Sequence, residues 1–399
     1  MTNGTCDKPV CLLCGSLIDG SGGPVRRRVM LYIRNGLISA IEEVSGKVAI
    51  PSPSADFGDC TIIPGLVDCH VHLFMSGTTD RTIRERQLKY SFGEVRSIIA
   101  RHLDSHLKHG ILAVRDGGDY GGHAMRYKRE VMAFALKPIV VRCAGRAWHA
   151  PGRYGKLIGR PTSPGMTLAE SIGGMDERPD HIKVVNSGIN SLTVFGRETA
   201  TQFSRRELSD AVKAGGKLGL KCMVHANGRL PVEIAIHSGC HSIEHGFFMQ
   251  EQNLHLLADR QICWVPTVGT MKAYSEHVEK GSREAVIASR NLDHQLDQMS
   301  LARRLGVPMV IGTDCGSLGV HHGSAFAEEI KLFIEAGFTL PEAIRCATFN
   351  GAALLGIDHE MGELKVGMPA TMLAVKGTPD ALPEALKKPL AVFYMGHRI

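Results

Sequence analysis

The sequence predicts an α/β fold: a (β/α)8 barrel joined to a small β domain built from both ends of the chain. Three observations predict it. Apolar, strand-like runs alternate with helix-like segments from about residue 60 onward. Eight such runs can be counted, seven of them preceded by a helical segment, and such alternation implies a parallel sheet that eight units can close. Both ends of the chain instead carry short β-like runs separated by turn signals.

The elements follow in order. Val10–Leu13, Val29–Ile33 and Leu37–Ile41 are apolar runs divided by Asp-Gly, Gly-Gly and Asn-Gly pairs, which favour tight hairpins. Thr61–His72 is the first barrel strand. Ile111–Arg115 follows the helical stretch Phe92–His109, Ile139–Cys143 follows Glu130–Leu136, and His181–Val185 comes next. Leu220–His225 follows the helix Ser204–Lys217, Ser242–His245 follows Pro231–Ser238, and Ile262–Val268 follows Asn253–Asp259. Val307–Thr313 follows a long helix near 283–305. After the helices Phe326–Ala336 and Pro341–Leu354, the runs Thr371–Val375 and Ala391–Tyr394 return to β and are expected to rejoin the N-terminal strands. The expected domains are 1–59 with 363–399 as one small β unit, and 60–362 as the barrel.

The bulk numbers agree. A chain of 399 residues suits one large domain and a small one, and 44% hydrophobic with 22% charged residues is ordinary for a soluble globular protein. The net charge of +6 is dispersed. It favours an anionic small-molecule substrate, and no aromatic-basic array argues for nucleic acid. Arg26-Arg-Arg28, the compact basic run, reads as a solvated hairpin. No stretch reaches the roughly 18 apolar residues of a membrane span, and Met1–Pro9 lacks a secretory pattern. Eleven scattered cysteines, an odd number, read as reduced thiols. A cytoplasmic protein is expected, and a homo-oligomer. Cys11-Leu-Leu-Cys14 has redox or zinc spacing but no second pair, so buried strand thiols are expected there.

The chemistry starts at Ile62-Ile-Pro-Gly-Leu-Val-Asp-Cys-His-Val-His72. In a strand, residues i and i+2 point to one side, so His70 and His72 can present two imidazoles to one ion. A bare His-x-His also fits a buried structural pair. Here the pair ends a strand, and other candidate ligands recur at the ends of later strands, where barrels keep their active sites. These are Lys183, His225, His245 and Asp314. Imidazole and carboxylate donors suit Zn2+, Mn2+, Co2+ or Fe2+.

This set resembles the amidohydrolase superfamily, and the resemblance spans nearly the whole chain. It begins at Leu17-Ile-Asp-Gly-Ser-Gly-Gly and passes through Pro64-Gly-Leu-Val-Asp-Cys-His-Val-His72 and Gly110-Ile-Leu-Ala-Val-Arg-Asp-Gly117. It ends with Ala343-Ile-Arg-Cys-Ala-Thr-Phe-Asn-Gly-Ala-Ala353 and Met361-Gly-Glu-Leu-Lys-Val-Gly-Met-Pro-Ala370. The fold it implies is a (β/α)8 barrel with a small β-sandwich from both termini. Lys183, in Pro179-Asp-His-Ile-Lys-Val-Val-Asn-Ser-Gly188, resembles the signature of the prolidase-like and imidazolonepropionase-like members with two metals. The resemblance implies that this lysine takes up CO2 to give a carbamate bridging both ions. It further implies that His70, His72 and Asp314 hold one ion and His225 and His245 the other. Two departures stand out: His225-Ala-Asn227 replaces a common His-x-His, and Pro369-Ala-Thr-Met replaces the usual Ala-Asp-Leu.

The expected activity is hydrolysis of a C–N amide bond in a small molecule, such as a dipeptide, an N-acyl amino acid or a cyclic amide. A metal-bridging hydroxide would attack, with Asp314 as general base and His149, after the third strand, stabilising the oxyanion. Tyr154, in the loop around 148–160, is a candidate substrate contact, with Asn227, Arg229 and His322. Arg115 is expected to be a structural ion-pair partner. The alternatives are a mononuclear deaminase of the same fold, which would need no lysine carbamate, and a non-catalytic scaffold that has lost its metals.

Overall fold

A computed structural model describes residues 10–44, 55–135 and 137–399. The leader reading at 1–9 and the predicted helix end at Leu136 lie outside the described residues. The chain divides into two compact units: Met1–Val67 with His106–Ala113 and Phe338–Ile399, and Asp68–Ser105 with Val114–Gly337. Its fold is mixed α/β. No described helix is long and apolar enough to cross a membrane.

The first unit carries a seven-stranded sheet that interleaves the start and end of the chain. Its order is His397–Arg398, Ala391–Tyr394, Met372–Lys376, Ala55–Pro64, Val10–Leu17, Arg26–Arg34 and Leu37–Glu43. Period-two alternation sorts the side chains. Leu12, Cys14, Leu31, Phe57, Met372 and Phe393 share one core, while Cys11, Leu13 and Met30 cluster separately. Cys11 and Cys14 therefore face opposite ways and cannot grip one ion. Burial pushes the Cys14 thiol up to about 12, so it is an inert core thiol.

The predicted first strand, Thr61–His72, is two strands. Ala55–Pro64 belongs to the seven-stranded sheet and Leu66–Val71 to a three-stranded one with Ile111–Asp116 and Val140–Cys143. Gly65 makes the break: a Cβ there would lie 2.8 Å from Leu112 and 3.1 Å from Thr371.

In the second unit a six-stranded sheet runs Cys263–Val265, Ser242–His245, Lys221–Ala226, His181–Val185, Ala147–His149, Gly159–Pro161. All its pairings are parallel, and helices fill the connections except the one from His149 to Gly159. Ser204 and Thr167 start two of them with reciprocal capping boxes. The long helix Arg283–Leu305 ends on a left-handed glycine, Gly306.

Four further sequence expectations need correction. Val307–Thr313 is not a ladder strand. Its bonding is divided: the Trp264 N–H donates to Pro308 O (2.8 Å) and the Val310 N–H to Trp264 O (3.1 Å), while the Cys69 N–H donates to Ile311 O (2.9 Å) and the Asp314 N–H to His70 O (2.7 Å). The helix expected at Glu130–Leu136 lies upstream, as His123–Tyr127 running into a π-turn at Lys128–Met132. Asp119 fixes that start, its carboxylate accepting the His123 and Ala124 N–H groups at 2.8 and 3.0 Å. Ile262–Val268 shortens to Cys263–Val265, because Pro266 has no N–H to donate and Thr267 takes φ 47°. Pro341–Leu354 is two helices, Leu340–Ala347 and Phe349–Leu355, divided at Thr348.

Candidate metal centre

Four strand ends and one irregular segment deliver six side chains to one cavity of about 240 Å³: His70 and His72 from one strand, then Lys183, His225, His245 and Asp314. Strand register sets the neighbours, with Val185 beside His225 and Ala226 beside His245. The four imidazoles form a chain of ring contacts: His72 to His70 at 5.4 Å, His70 to His245 at 4.9 Å, and His245 to His225 at 4.5 Å. Donor atoms of His70, His72 and Asp314 all lie within 4.8 Å of one another. Two of the six sit on left-handed backbone, His245 at φ 67° and Asp314 at φ 56°. Non-glycine residues pay for that conformation, and such strain collects at functional sites.

Hydrogen bonds orient the rings. His70 Nδ1 is 2.6 Å from Glu244 Oε2, His72 Nδ1 is 2.8 Å from Gly118 O, and His245 Nδ1 is 2.7 Å from Thr267 Oγ1. Their Nε2 atoms are thereby left for an ion. His225 is reversed: its Nε2 meets Gly188 O at 3.0 Å, which leaves Nδ1. A carbonyl can only accept, so the facing nitrogen carries the proton and the other presents its lone pair. Glu244 is itself held by Arg115 at 2.9 Å and by Ser242 at 2.5 Å. Arg115 is thus a buried ion-pair partner, as expected, and Glu244 is its carboxylate. Asp68 ties the ends together by accepting the His70 and Thr313 N–H groups at 3.3 and 3.0 Å.

Burial governs the electrostatics. Desolvation, with the positive Lys183 nearby, lowers His72 to about 4 and His225 to about 3. His70 and His245 fall well below the usual range for the same first cause. All four imidazoles are therefore neutral at pH 7, the ligand form. Desolvation brings Lys183 down to about 8 and Asp314 up to about 7. Each is thus poised to change charge near neutrality.

Gly117 makes room for the cluster. A Cβ there would lie 2.9 Å from His72 Cε1 and 3.3 Å from His70 Nε2. Its φ is not left-handed, so Gly117→Ala carries no backbone penalty and should act on the rings alone. We expect metal affinity to fall by an order of magnitude or more, the usual cost of disturbing ligand orientation. Elemental analysis beside a thermal melt would check it; unchanged metal content would show that the rings have slack.

Of the residues the sequence put near substrate, Tyr154 and Asn227 line the cavity. Tyr154 stacks obliquely at 5.6 Å from the His225 ring, and burial raises its phenol above the ordinary value. Asn227 Oδ1 accepts the Phe247 N–H at 3.0 Å, so it braces two strand ends. Three others are not among the cavity-lining residues. His149 lies in the extra strand Ala147–His149 rather than in a loop, with Nδ1 2.9 Å from Ala150 O. Arg229 is at the surface, paired with Glu233 at 2.9 Å. His322 is buried against His102, ring to ring at 3.8 Å, and meets Met75 O at 2.8 Å. Sequence reasoning missed Glu244, Arg84 and Tyr274, the last two cavity-lining. A charged residue inside the apolar strand Ser242–His245 was the available signal for Glu244; Arg84 and Tyr274 had none.

The chain has clear likenesses among known proteins. Residues 61–399 match the model described as the amidohydrolase family. Ochratoxinase of Aspergillus niger is 24% identical, over 97% of this chain and 85% of its own. An imidazolonepropionase of Pseudomonas savastanoi pv. phaseolicola is 23% identical over 80% of both chains. The solved structure of a Xaa-Pro dipeptidase with methionine in its active site superposes with a TM-score of 0.82, at 24% identity, covering 98% of this chain and all of that one. With the family match running through every strand end just described, the chain belongs to the amidohydrolase family and is an enzyme that hydrolyses carbon–nitrogen bonds.

Proposed function

We propose that the chain cleaves the amide bond of a small molecule, such as a dipeptide, an N-acyl amino acid or a cyclic amide, at a centre of two divalent cations. The observation that carries this is the convergence of four neutral imidazoles, a carboxylate and a buried lysine on one cavity. The donor set fits such ions. His70 Nε2 and Lys183 Nζ are buried with no hydrogen-bond partner, a costly state for polar atoms unless something else occupies them. In this reading His70, His72 and Asp314 hold one cation and His225 and His245 the other. Lys183 serves both as a carbamate: its neutral amine nitrogen bonds the carbon of CO2 and gives up a proton. Zn2+ suits these donors, as do Mn2+, Co2+ and Fe2+.

The cations, when bound, supply a water ionised near pH 7 and an electrophile for the substrate carbonyl. The chain's residues do the rest. Asp314 takes the proton of the attacking water and passes it to the leaving nitrogen. Glu244, Gly118 and Thr267 hold the imidazoles in their ligand tautomers. His149 was the sequence choice to steady the oxyanion; Tyr154, protonated and in the cavity wall, is the better placed donor. The residues 60–362 are proposed to close as a (β/α)8 barrel. The two-sided bonding of 308–314 supports this, as does the Asp180 N–H donating to Cys143 O at 2.9 Å. The terminal segments 1–59 and 363–399 are proposed to form a β-sandwich. In support, Phe57 and Phe393, from different strands of the sheet, meet at 5.9 Å in one core.

The test is metal content. Protein purified with Zn2+ or Mn2+ and bicarbonate should approach two ions per chain, with activity on a panel of N-acyl amino acids, dipeptides and cyclic amides. One ion per chain at full activity would favour the deaminase alternative, and none with full activity would remove the metal reading.

A further inference from the structure

We propose that Arg84 anchors a carboxylate of the substrate, so that the amide cleaved is one whose amine half is an α-amino acid with a free carboxyl group. The inference rests on the amide-hydrolysis reading of the cavity and assigns its substrate class. Arg84 lies on the helix Arg81–Gln87, half-buried in the cavity wall. Its Nη1 donates to three backbone carbonyls: Ser76 at 3.2 Å, Thr78 at 3.3 Å and Gly316 at 3.0 Å. Nε and Nη2 make no hydrogen bond among the described residues, and no described carboxylate lies within ion-pair distance. The buried Arg115, by contrast, is fully engaged, by Glu244, Ser242 and Cys69 O.

A guanidinium used only to staple loops needs no open face. Three carbonyls orient the group, yet none neutralises it, and a desolvated cation without an anion is costly. An anion arriving in the cavity would meet a rigid fork whose ordering has already been achieved, the geometry that takes a carboxylate in two parallel hydrogen bonds. Tyr274, whose hydroxyl interacts electrostatically with both Arg84 and Asp314, stands beside this route and offers a further donor.

Reach agrees. Gly316, the carbonyl that holds Arg84, is two residues from Asp314, so the guanidinium lies on the order of 10 Å from the Asp314 carboxylate, from two Cα steps plus a hydrogen bond. In an N-acyl α-amino acid the scissile carbonyl carbon and the carboxylate carbon are three bonds apart, about 4 Å. A hydrogen bond at one end and ligand contacts at the other fill the remainder. Leu157, Ile189, Leu192 and Met271 line the same cavity and suit an apolar side chain. Hydrolysis then balances simply. Water adds its hydroxyl to the carbonyl carbon, the C–N bond breaks, the nitrogen takes a proton, and the amino acid departs with its carboxylate on Arg84.

The test compares N-acetyl-L-leucine, N-acetyl-L-methionine and N-acetyl-L-phenylalanine with their carboxamides, using the metal-loaded enzyme. The acids should be favoured in kcat/KM by about 10²-fold, the scale of a desolvated charge-assisted pair. In Arg84→Met that ratio should collapse towards one, with the loss mainly in KM. Arg84→Lys keeps the charge without the fork and should fall between. Because the ratio is taken within each variant, a general loosening of the loops cancels. An unchanged ratio in Arg84→Met overturns the inference and leaves amide hydrolysis standing. If no amide is cleaved, calorimetric titration with the same acids decides: binding present in the natural chain and lost in Arg84→Met supports the anion anchor while hydrolysis falls, and equal binding overturns the anchor.

Discussion

Lys183→Ala is expected to lose both bound cations and all measurable turnover together. The reason lies in the side chain's surroundings. Lys183 is 1% exposed, and its Nζ has no hydrogen-bond partner. Desolvation lowers it from 10.5 to about 8. At pH 7 about a tenth of it is then neutral, against roughly 0.03% for an ordinary lysine. That neutral amine is the form that combines with CO2. In the proposed reading the resulting carbamate would give two cations a shared anion, and alanine would leave both short of one. Small carboxylic acids such as acetate should partly restore activity by entering the gap. The pH dependence has a definite sign. A lowered lysine pKa favours the neutral form above about 8, and each unit below cuts that form about tenfold. Reconstitution of metal-free protein at fixed dissolved CO2 should therefore be on the order of a hundredfold slower at pH 6 than at pH 9. Metal content and turnover in Lys183→Ala are the readouts; if both are unchanged, Lys183 is a structural lysine.

The convergence of the six proposed ligands on one cavity was legible because their spacing obeys the strand period. His70 and His72 are two apart, and His225 and His245 are separated by one helix and one strand. Where the backbone leaves that period, the sequence is silent. Glu244 neighbours His245, so strict alternation would turn the two side chains to opposite faces. The left-handed φ at His245 lets both serve the same imidazole cluster. The eighth strand was expected as a ladder, yet its hydrogen bonds are divided between Trp264 on one side and Cys69 and His70 on the other. His149 was chosen as the residue after the third strand, but Ala147–His149 is a strand itself, and the chain reaches the cavity only at Tyr154. Arg84 has no local pattern. It becomes interpretable only when folding brings the Gly316 carbonyl, 232 residues away, to its guanidinium.

Asp314→Asn should lower kcat by about 10²–10⁴, the usual cost of removing a general base, while much of the bound metal stays. The substitution suits the backbone. Asp314 sits at φ 56°, and asparagine is among the few residues that tolerate this region. The amide oxygen can still accept from Ser317 Oγ, now 2.9 Å from Asp314 Oδ2, and can still touch a cation, but it cannot take a proton. KM should change less than kcat, because the proton moves in the transition state. A second readout separates ligand from base. Burial raises the Asp314 carboxyl to about 7, whereas His72 stays neutral down to about 4. Of the three side chains proposed to hold that ion, the carboxyl is then the one that competes with protons between those values, while Lys183 adds a slope of its own that is common to the natural chain and to Asp314→Asn. The Asp314 share of the natural chain's metal affinity should thus fall about tenfold per unit below pH 7, since the ligand must be deprotonated to bind. In Asp314→Asn that slope should flatten, because no titrating oxygen remains at the position. Near-natural kcat in a fully metallated Asp314→Asn would move the base elsewhere, and a slope unchanged by the substitution would remove Asp314 from the ligands.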